Sequence, residues 1–145
     1  MHERVIEESI IIDAAPEQIF DVLATPSRHQ EIDGSTSIKG VLSGPDRLFL
    51  GAKFGMSMKL LLPYHITNEV VEFEENKCIA WRHFGKHVWR YVLREVEPKK
   101  TEVTEYFDYQ HAVFPLALEL MGAPTRNRIA MVDTLKNLKD RAEEK

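Results

Sequence analysis

The segment from Pro115 to Glu143 most restricts what this chain can fold into. Leu118, Met121, Ile129, Val132, Leu135 and Leu138 recur in steps of three, four or their sums, the stripe of an amphipathic helix. Arg126, Asn127, Asp133, Lys136, Lys139 and Asp140 fall between them and are polar. At about 1.5 Å per residue such a helix runs roughly 43 Å, enough to cross a whole sheet. Gly122 and Pro124 interrupt it, and proline removes a backbone donor, so a kink or restart is expected near Ala123. Everything upstream reads mostly as strands, so the helix must bury its stripe against a sheet. That interface is either a plain core or the roof of a cavity.

The strands follow from their own period and punctuation. Arg4 to Asp13 is rich in β-branched residues and closes at Asp13-Ala14-Ala15-Pro16. Pro16 suits a first helical position, with Ile19, Phe20 and Leu23 on one face. Thr25 as a cap and Pro26 as a start predict a second short helix to about Ile32, ended by Asp33-Gly34. Thr36 to Leu42 is the second strand. Lys53 to Leu61 alternates, with Phe54, Met56, Met58 and Leu60 on one side and Lys53, Ser57 and Lys59 on the other. Pro63 breaks it. Ile66 to Glu74 alternates poorly, and the face of Asn68 is left open. Lys77 to Phe84, His87 to Glu97 and Thr101 to Gln110 complete seven strands.

Clustering large apolar side chains favours odd-length loops in the last two hairpins. The first places His83 beside Trp89, Trp81 beside Tyr91 and Ile79 beside Leu93. The second places Phe107 beside Tyr91, Tyr109 beside Trp89 and Glu105 beside Leu93, with Arg90 beside Asp108 on the outer face. One face then carries Ile79, Trp81, His83, Trp89, Tyr91, Leu93, Glu105, Phe107 and Tyr109, and it is the face the long helix should cover.

Composition removes several function classes. At 145 residues the expectation is one domain, residues 1–145. A net charge of −4 with no basic run longer than Lys99-Lys100 argues against a nucleic-acid partner. No apolar run, Leu60 to Leu62 included, approaches a membrane span, and Met1-His2-Glu3-Arg4-Val5 lacks a secretory leader's apolar region. The single cysteine, Cys78, permits no internal disulfide and fits a reducing cytoplasm. No phosphate-binding glycine loop, dinucleotide fingerprint, Gly-x-Ser-x-Gly elbow or zinc motif is present, so no cofactor and no metal are expected.

The order of strand, two short helices, six strands and long helix resembles the helix-grip architecture of the START-like superfamily. It is most similar to the bacterial polyketide cyclase/dehydrase and lipid-transport group, often labelled SRPBCC. The residues carrying the likeness are Ile12 to Leu23, Thr67 to Phe73 with Ile79 to His83, and Trp89 to Leu93 followed by Thr101 to Glu105. Many relatives carry a glycine before the threonine of the last hairpin, where this chain has Lys100. The resemblance implies an α+β fold: a curved seven-stranded antiparallel sheet gripping the C-terminal helix, two short helices between the first two strands, and a cavity for a hydrophobic ligand.

Candidate site residues come from the shared face. Glu105, among Trp89, Tyr91 and Phe107, would have its pKa raised by burial, as suits a general acid or base; a pairing with an arginine or a place at the open rim is the plainer alternative. His83 beside Trp81 and Trp89 can donate to a ligand carbonyl or act as a base, or is simply a solvated group near a hairpin end. The spacing of His83 and His87 straddles a turn, and no cysteine or carboxylate completes a metal site. Trp81, Trp89, Tyr91, Phe107 and Tyr109, with the adaptable Met56, Met58 and Met121 and with Phe114 and Leu118, form an expected ligand-lining set. Arg126 and Arg128 belong to the solvated helix face, where either can steer an anion. Three functions fit: a carrier of a small apolar or aromatic molecule, lipid or polyketide-like; a cyclase or dehydratase working by positioning and acid–base chemistry; and a partner-binding or chaperone-like module using the exposed side of the sheet. Oligomeric state is left open.

Overall fold

A computed structural model of the chain describes residues 4–59, 61–83 and 85–144. Leu60 and Phe84, assigned above to the ends of the third and fifth strands, lie outside the described residues. The elements are β1 (Val5–Ile12), α1 (Pro16–Ala24), a 3-10 turn (Pro26–Arg28), α2 (His29–Ile32), β2 (Ile38–Ser43), β3 (Lys53–Lys59), β4 (Pro63–Glu74), β5 (Cys78–Arg82), β6 (Val88–Glu97), β7 (Lys100–Asp108), α3 (Pro115–Leu120) and α4 (Ala123–Ala142). This is the expected α+β helix-grip arrangement, including the restart at Ala123.

All seven strands form one antiparallel sheet in the order β1-β7-β6-β5-β4-β3-β2. Strands β2 to β7 are a meander, because short connections between antiparallel neighbours need no crossover. The helical segment after β1 carries the chain to the far edge, and the two short helices close one side of the concave face. Pro16 begins α1 at the first helical position, where its missing N–H costs no bond. Thr25 does not cap the next turn; its hydroxyl donates instead to the Asp21 carbonyl at 2.6 Å. Pro63 starts β4 rather than only ending β3.

The inward face keeps the parity expected from odd loops, but both hairpins sit two residues from the expected register. Trp81 lies opposite Trp89 and Ile79 opposite Tyr91. Trp89 lies opposite Phe107, Tyr91 opposite Glu105 and Leu93 opposite Val103. At the second hairpin Glu97 pairs with Lys100, so Pro98-Lys99 is a two-residue turn with Lys99 at φ 60°, and a bulge between Glu95 and Glu97 restores the face. Arg90 now faces Tyr106, yet still reaches Asp108 at 3.4 Å and Glu72 at 2.6 Å on the outer side. A second bulge, between Val70 and Glu72, explains the poor alternation of β4. Before it Asn68 and Val70 are buried, and after it Phe73 turns inward while Glu72 points out to Arg90.

Helix α4 packs on β1, β7, α1 and α2. Its buried stripe is Met131, Thr134, Leu135 and Leu138, not the expected line through Ile129 and Val132, which are exposed. The cause is the repeated three-residue step: at 3.6 residues per turn each such step lags by about 60°, so Ile129 stands on the face opposite Leu138. Gly122, with a left-handed φ of 74°, separately ends α3 and lets the chain restart as α4. The loop after α2 lies directly on α4. A Cβ on Gly34 would stand 2.2 Å from the Ala130 carbonyl oxygen, and the Gly34 N–H donates to Thr134 Oγ1 at 2.9 Å. Only a residue without a side chain permits that approach.

Candidate functional site

Between the inward face of the sheet and α4 lies a cavity of about 540 Å³. Its floor is Phe54, Met56 and Met58 of β3, Ile66 and Asn68 of β4, Trp81 of β5, Trp89 and Tyr91 of β6, and Glu105 of β7. One wall is His29, Ile32 and the loop from Asp33 to Ile38, and the roof is Arg126, Asn127, Ile129, Ala130, Met131 and Thr134. His83 and His87 stand at the β5–β6 end. The volume falls in the range of small-molecule sites, and the lining is mostly apolar and aromatic with few polar groups.

The aromatic side of the cavity is a packed set of rings. His29 stacks on Trp81 with ring centroids 4.9 Å apart, and Phe54 meets both edge-on at 5.7 and 5.6 Å. Tyr91 lies 5.7 Å beyond Trp81. The His29 Nε2–H donates to the Leu23 carbonyl at 2.7 Å, which fixes the tautomer. Burial pushes its pKa down to about 4, more than the Leu23 carbonyl and Asp33 raise it, so the ring is neutral near pH 7.

Opposite this wall, Glu105 is only 2% exposed. The Tyr91 hydroxyl donates to its Oε2 at 2.9 Å, whereas Oε1 is buried with no hydrogen-bond partner among the described residues. Burial raises the carboxyl to about 8; the Tyr91 bond pulls the other way and the charge of Asp33 adds to the rise. Glu105 is therefore mostly protonated at neutral pH and can give or take a proton inside an apolar chamber. Burial likewise lowers His83, and it takes His87 to about 4 with help from His83. Their rings meet edge to face at 4.4 Å. Among the described residues no three His, Cys, Asp or Glu side chains gather closely enough to hold a metal ion.

Of the residues nominated from sequence, the structure gathers Glu105, His83, Met56, Met58, Trp81, Trp89 and Tyr91 around this cavity. Phe107, Tyr109 and Leu118 are elsewhere. With Ile6 and Met131 they form a second apolar cluster behind Trp89, in which Phe107 and Tyr109 stack at 5.3 Å. The two-residue register shift is the reason: it moves Phe107 outward to Trp89 and leaves Glu105, not Phe107, across from Tyr91. The Tyr109 hydroxyl is occupied by Glu119 at 2.8 Å. Phe114 and Met121 are 71% and 67% exposed, because they flank α3, which buries none of its own residues. Arg126, exposed as expected, also lines the cavity, as does half-buried Asn127, and Arg126 donates to the Met121 carbonyl. Sequence reasoning passed over His29, although His29 and Ile32 stand three apart on a short helix and so share a face.

Residues 3–143 match the family model described as polyketide cyclase / dehydrase and lipid transport. The chain is 35% identical over 141 residues to the uncharacterized protein Rv0088 of Mycobacterium tuberculosis. That alignment covers 93% of this chain and 62% of the relative, so the chain spans about three fifths of the relative's length. Among solved structures, protein CV1439 from Chromobacterium violaceum superposes with a TM-score of 0.73 at 14% identity, covering 97% of this chain and 99% of that one. The Zhui aromatase/cyclase from Streptomyces sp. R1128 superposes with a TM-score of 0.70 at 15% identity, covering 98% and 94%. At such identities the likeness is one of fold. No helix among the described residues is long and apolar enough to cross a membrane.

Proposed function

We propose that this chain, which belongs to the polyketide cyclase / dehydrase and lipid transport family, binds one small hydrophobic or aromatic molecule, lipid or polyketide-like in character, in the cavity beneath α4. The supporting observation is the cavity itself: about 540 Å³ lined by Phe54, Met56, Met58, Trp81, Trp89 and Tyr91. Such a space in a protein interior that is otherwise close-packed forfeits dispersion contacts unless something fills it. An apolar guest recovers about 25 cal/mol for each Å² it removes from water, against the cost of immobilising it. The stacked pair of His29 and Trp81, braced edge-on by Phe54, offers aromatic surface to an aromatic guest, and the methionines of β3 adapt to an irregular one.

Native mass spectrometry of the chain purified from its own host, followed by solvent extraction, tests this. A co-purifying apolar mass that disappears in Met56→Arg supports it; a chain that takes up no apolar probe in either form sinks it.

Glu105 favours a second reading, an acid–base catalyst promoting cyclisation or dehydration. A carboxyl at about 8 inside the cavity is matched to proton transfer near neutral pH. If it works that way, Glu105→Gln lowers turnover of an unsaturated carbonyl substrate by tenfold or more while the substrate still binds. Unchanged turnover removes the catalytic role and leaves the carrier.

A further inference from the structure

The hydrogen bonding around Glu105 is incomplete in a way that describes a guest. Glu105 sits at the middle of β7 with Tyr91 opposite on β6 and Glu8 opposite on β1. Tyr91 satisfies Oε2, and Oε1 has no partner. The charged groups around it are already engaged. Glu8 is held by Arg128 of α4 at 2.7 Å, and Asp33 accepts from the Ser35 and Ile38 backbone. Arg126 donates to the Met121 carbonyl, and His29 to the Leu23 carbonyl. His83 and His87 face each other at the far end. Among the described residues no cation pairs with Glu105. A buried carboxyl with one neutral donor and no cation is a carboxylic acid; with Tyr91 donating to Oε2 the proton sits on Oε1, and that hydroxyl has no acceptor among the described residues.

We propose that the cavity takes a neutral ligand bearing a carbonyl-type oxygen, such as a ketone, quinone or ester on an apolar body, and that the Glu105 carboxyl is the hydrogen-bond donor that anchors that oxygen. This rests on the ligand-binding reading above and names the class of ligand. A carboxylate ligand would bring a bare charge beside Asp33 into a mostly apolar chamber, where desolvation penalises it. An amine would ionise Glu105 and leave a buried ion pair in apolar surroundings, where desolvation offsets the attraction.

Three probes on one skeleton separate these cases: 2-acetylnaphthalene, the similarly shaped hydrocarbon 2-isopropenylnaphthalene, and 2-naphthoate, each measured by equilibrium dialysis. The wild-type chain at pH 7 is expected to hold the ketone at least tenfold more tightly than the hydrocarbon, with naphthoate weakest. Glu105→Gln keeps an amide donor and keeps the preference. Glu105→Leu holds the two neutral probes equally. Above about pH 8 the wild-type preference fades as Glu105 ionises, while that of Glu105→Gln does not. Equal wild-type affinity for ketone and hydrocarbon, a preference that survives in Glu105→Leu, or naphthoate binding best overturns the anchor and leaves the cavity reading standing. Failure of every probe to bind overturns both.

Discussion

Replacing Glu105 by glutamine should remove a specific part of the pH dependence of folding. In the folded chain this carboxyl titrates at about 8, and in the unfolded chain near 4.5. Between those values the native state holds a proton that the unfolded state has released, so the stability of the fold falls as pH rises. Histidines act in the opposite sense. His29 and His87 titrate at about 4 when folded, below their ordinary 6.5, and His83 is also lowered. Their contribution is nearly complete above about pH 7.5 and is lost as pH falls through 6.5 toward 4. Cys78, pushed up to about 11, and the raised tyrosines act only at higher pH. From about pH 6.5 to 8 Glu105 is the group that lowers stability, while the last histidine deprotonation in the unfolded chain adds back up to about 0.4 kcal/mol per shifted ring. At about 1.4 kcal/mol per unit, rounded off near the folded pKa, Glu105 removes about 1.5 to 2 kcal/mol across this window. Urea unfolding at several pH values in this window measures the loss. With a slope of about 2 kcal/mol per molar, the wild-type midpoint should fall relative to that of Glu105→Gln by somewhat under about 1 M. The Glu105→Gln amide still accepts from Tyr91 and does not titrate, so the midpoint of that variant should not fall. Midpoints that move in parallel would refute the assignment of a protonated, buried carboxyl.

Other substitutions test the surroundings. Gly34→Ala drives a methyl group against the Ala130 carbonyl, and this overpacking should cost about 1 to 3 kcal/mol, read as a lowered melting temperature in calorimetry; an unchanged melting temperature would mean the loop does not rest on α4. Tyr91→Phe removes the donor to Oε2, so the Glu105 carboxyl should titrate still higher by carbon NMR and the fold should lose about 1 to 3 kcal/mol, whereas an unshifted titration would break the Tyr91–Glu105 link. Met56→Arg places a charge on a fully buried position of the cavity floor; uptake of an apolar probe should disappear, and retained uptake would locate binding elsewhere.

How far the sequence reveals this site depends on which property of a strand is asked for. Side-chain parity is written in hydrophobic alternation, and it correctly put Trp81, Trp89, Tyr91 and Glu105 on one face. Register is not, because sliding one strand by two residues leaves every side chain on the same face and keeps the apolar groups clustered. Only the turn decides, and here an apolar count carries no trace of Pro98-Lys99 turning in two residues with a compensating bulge at Val96. That hidden step has the largest chemical consequence in the molecule. It exchanges a Phe107–Tyr91 pair for a Glu105–Tyr91 pair and so sets a carboxyl, instead of a second ring, against the tyrosine hydroxyl. The same holds for the helix. Met131, Leu135 and Leu138 are a stripe visible at helical spacing, but Thr134 beside them is polar and is buried because Gly34 offers it an N–H from a loop far away in the chain. Asn68 stayed unassigned since a bulge two residues later reverses the alternation that would have placed it. What local pattern withheld was in each case an irregularity, and the irregularities are what position the polar groups of the cavity.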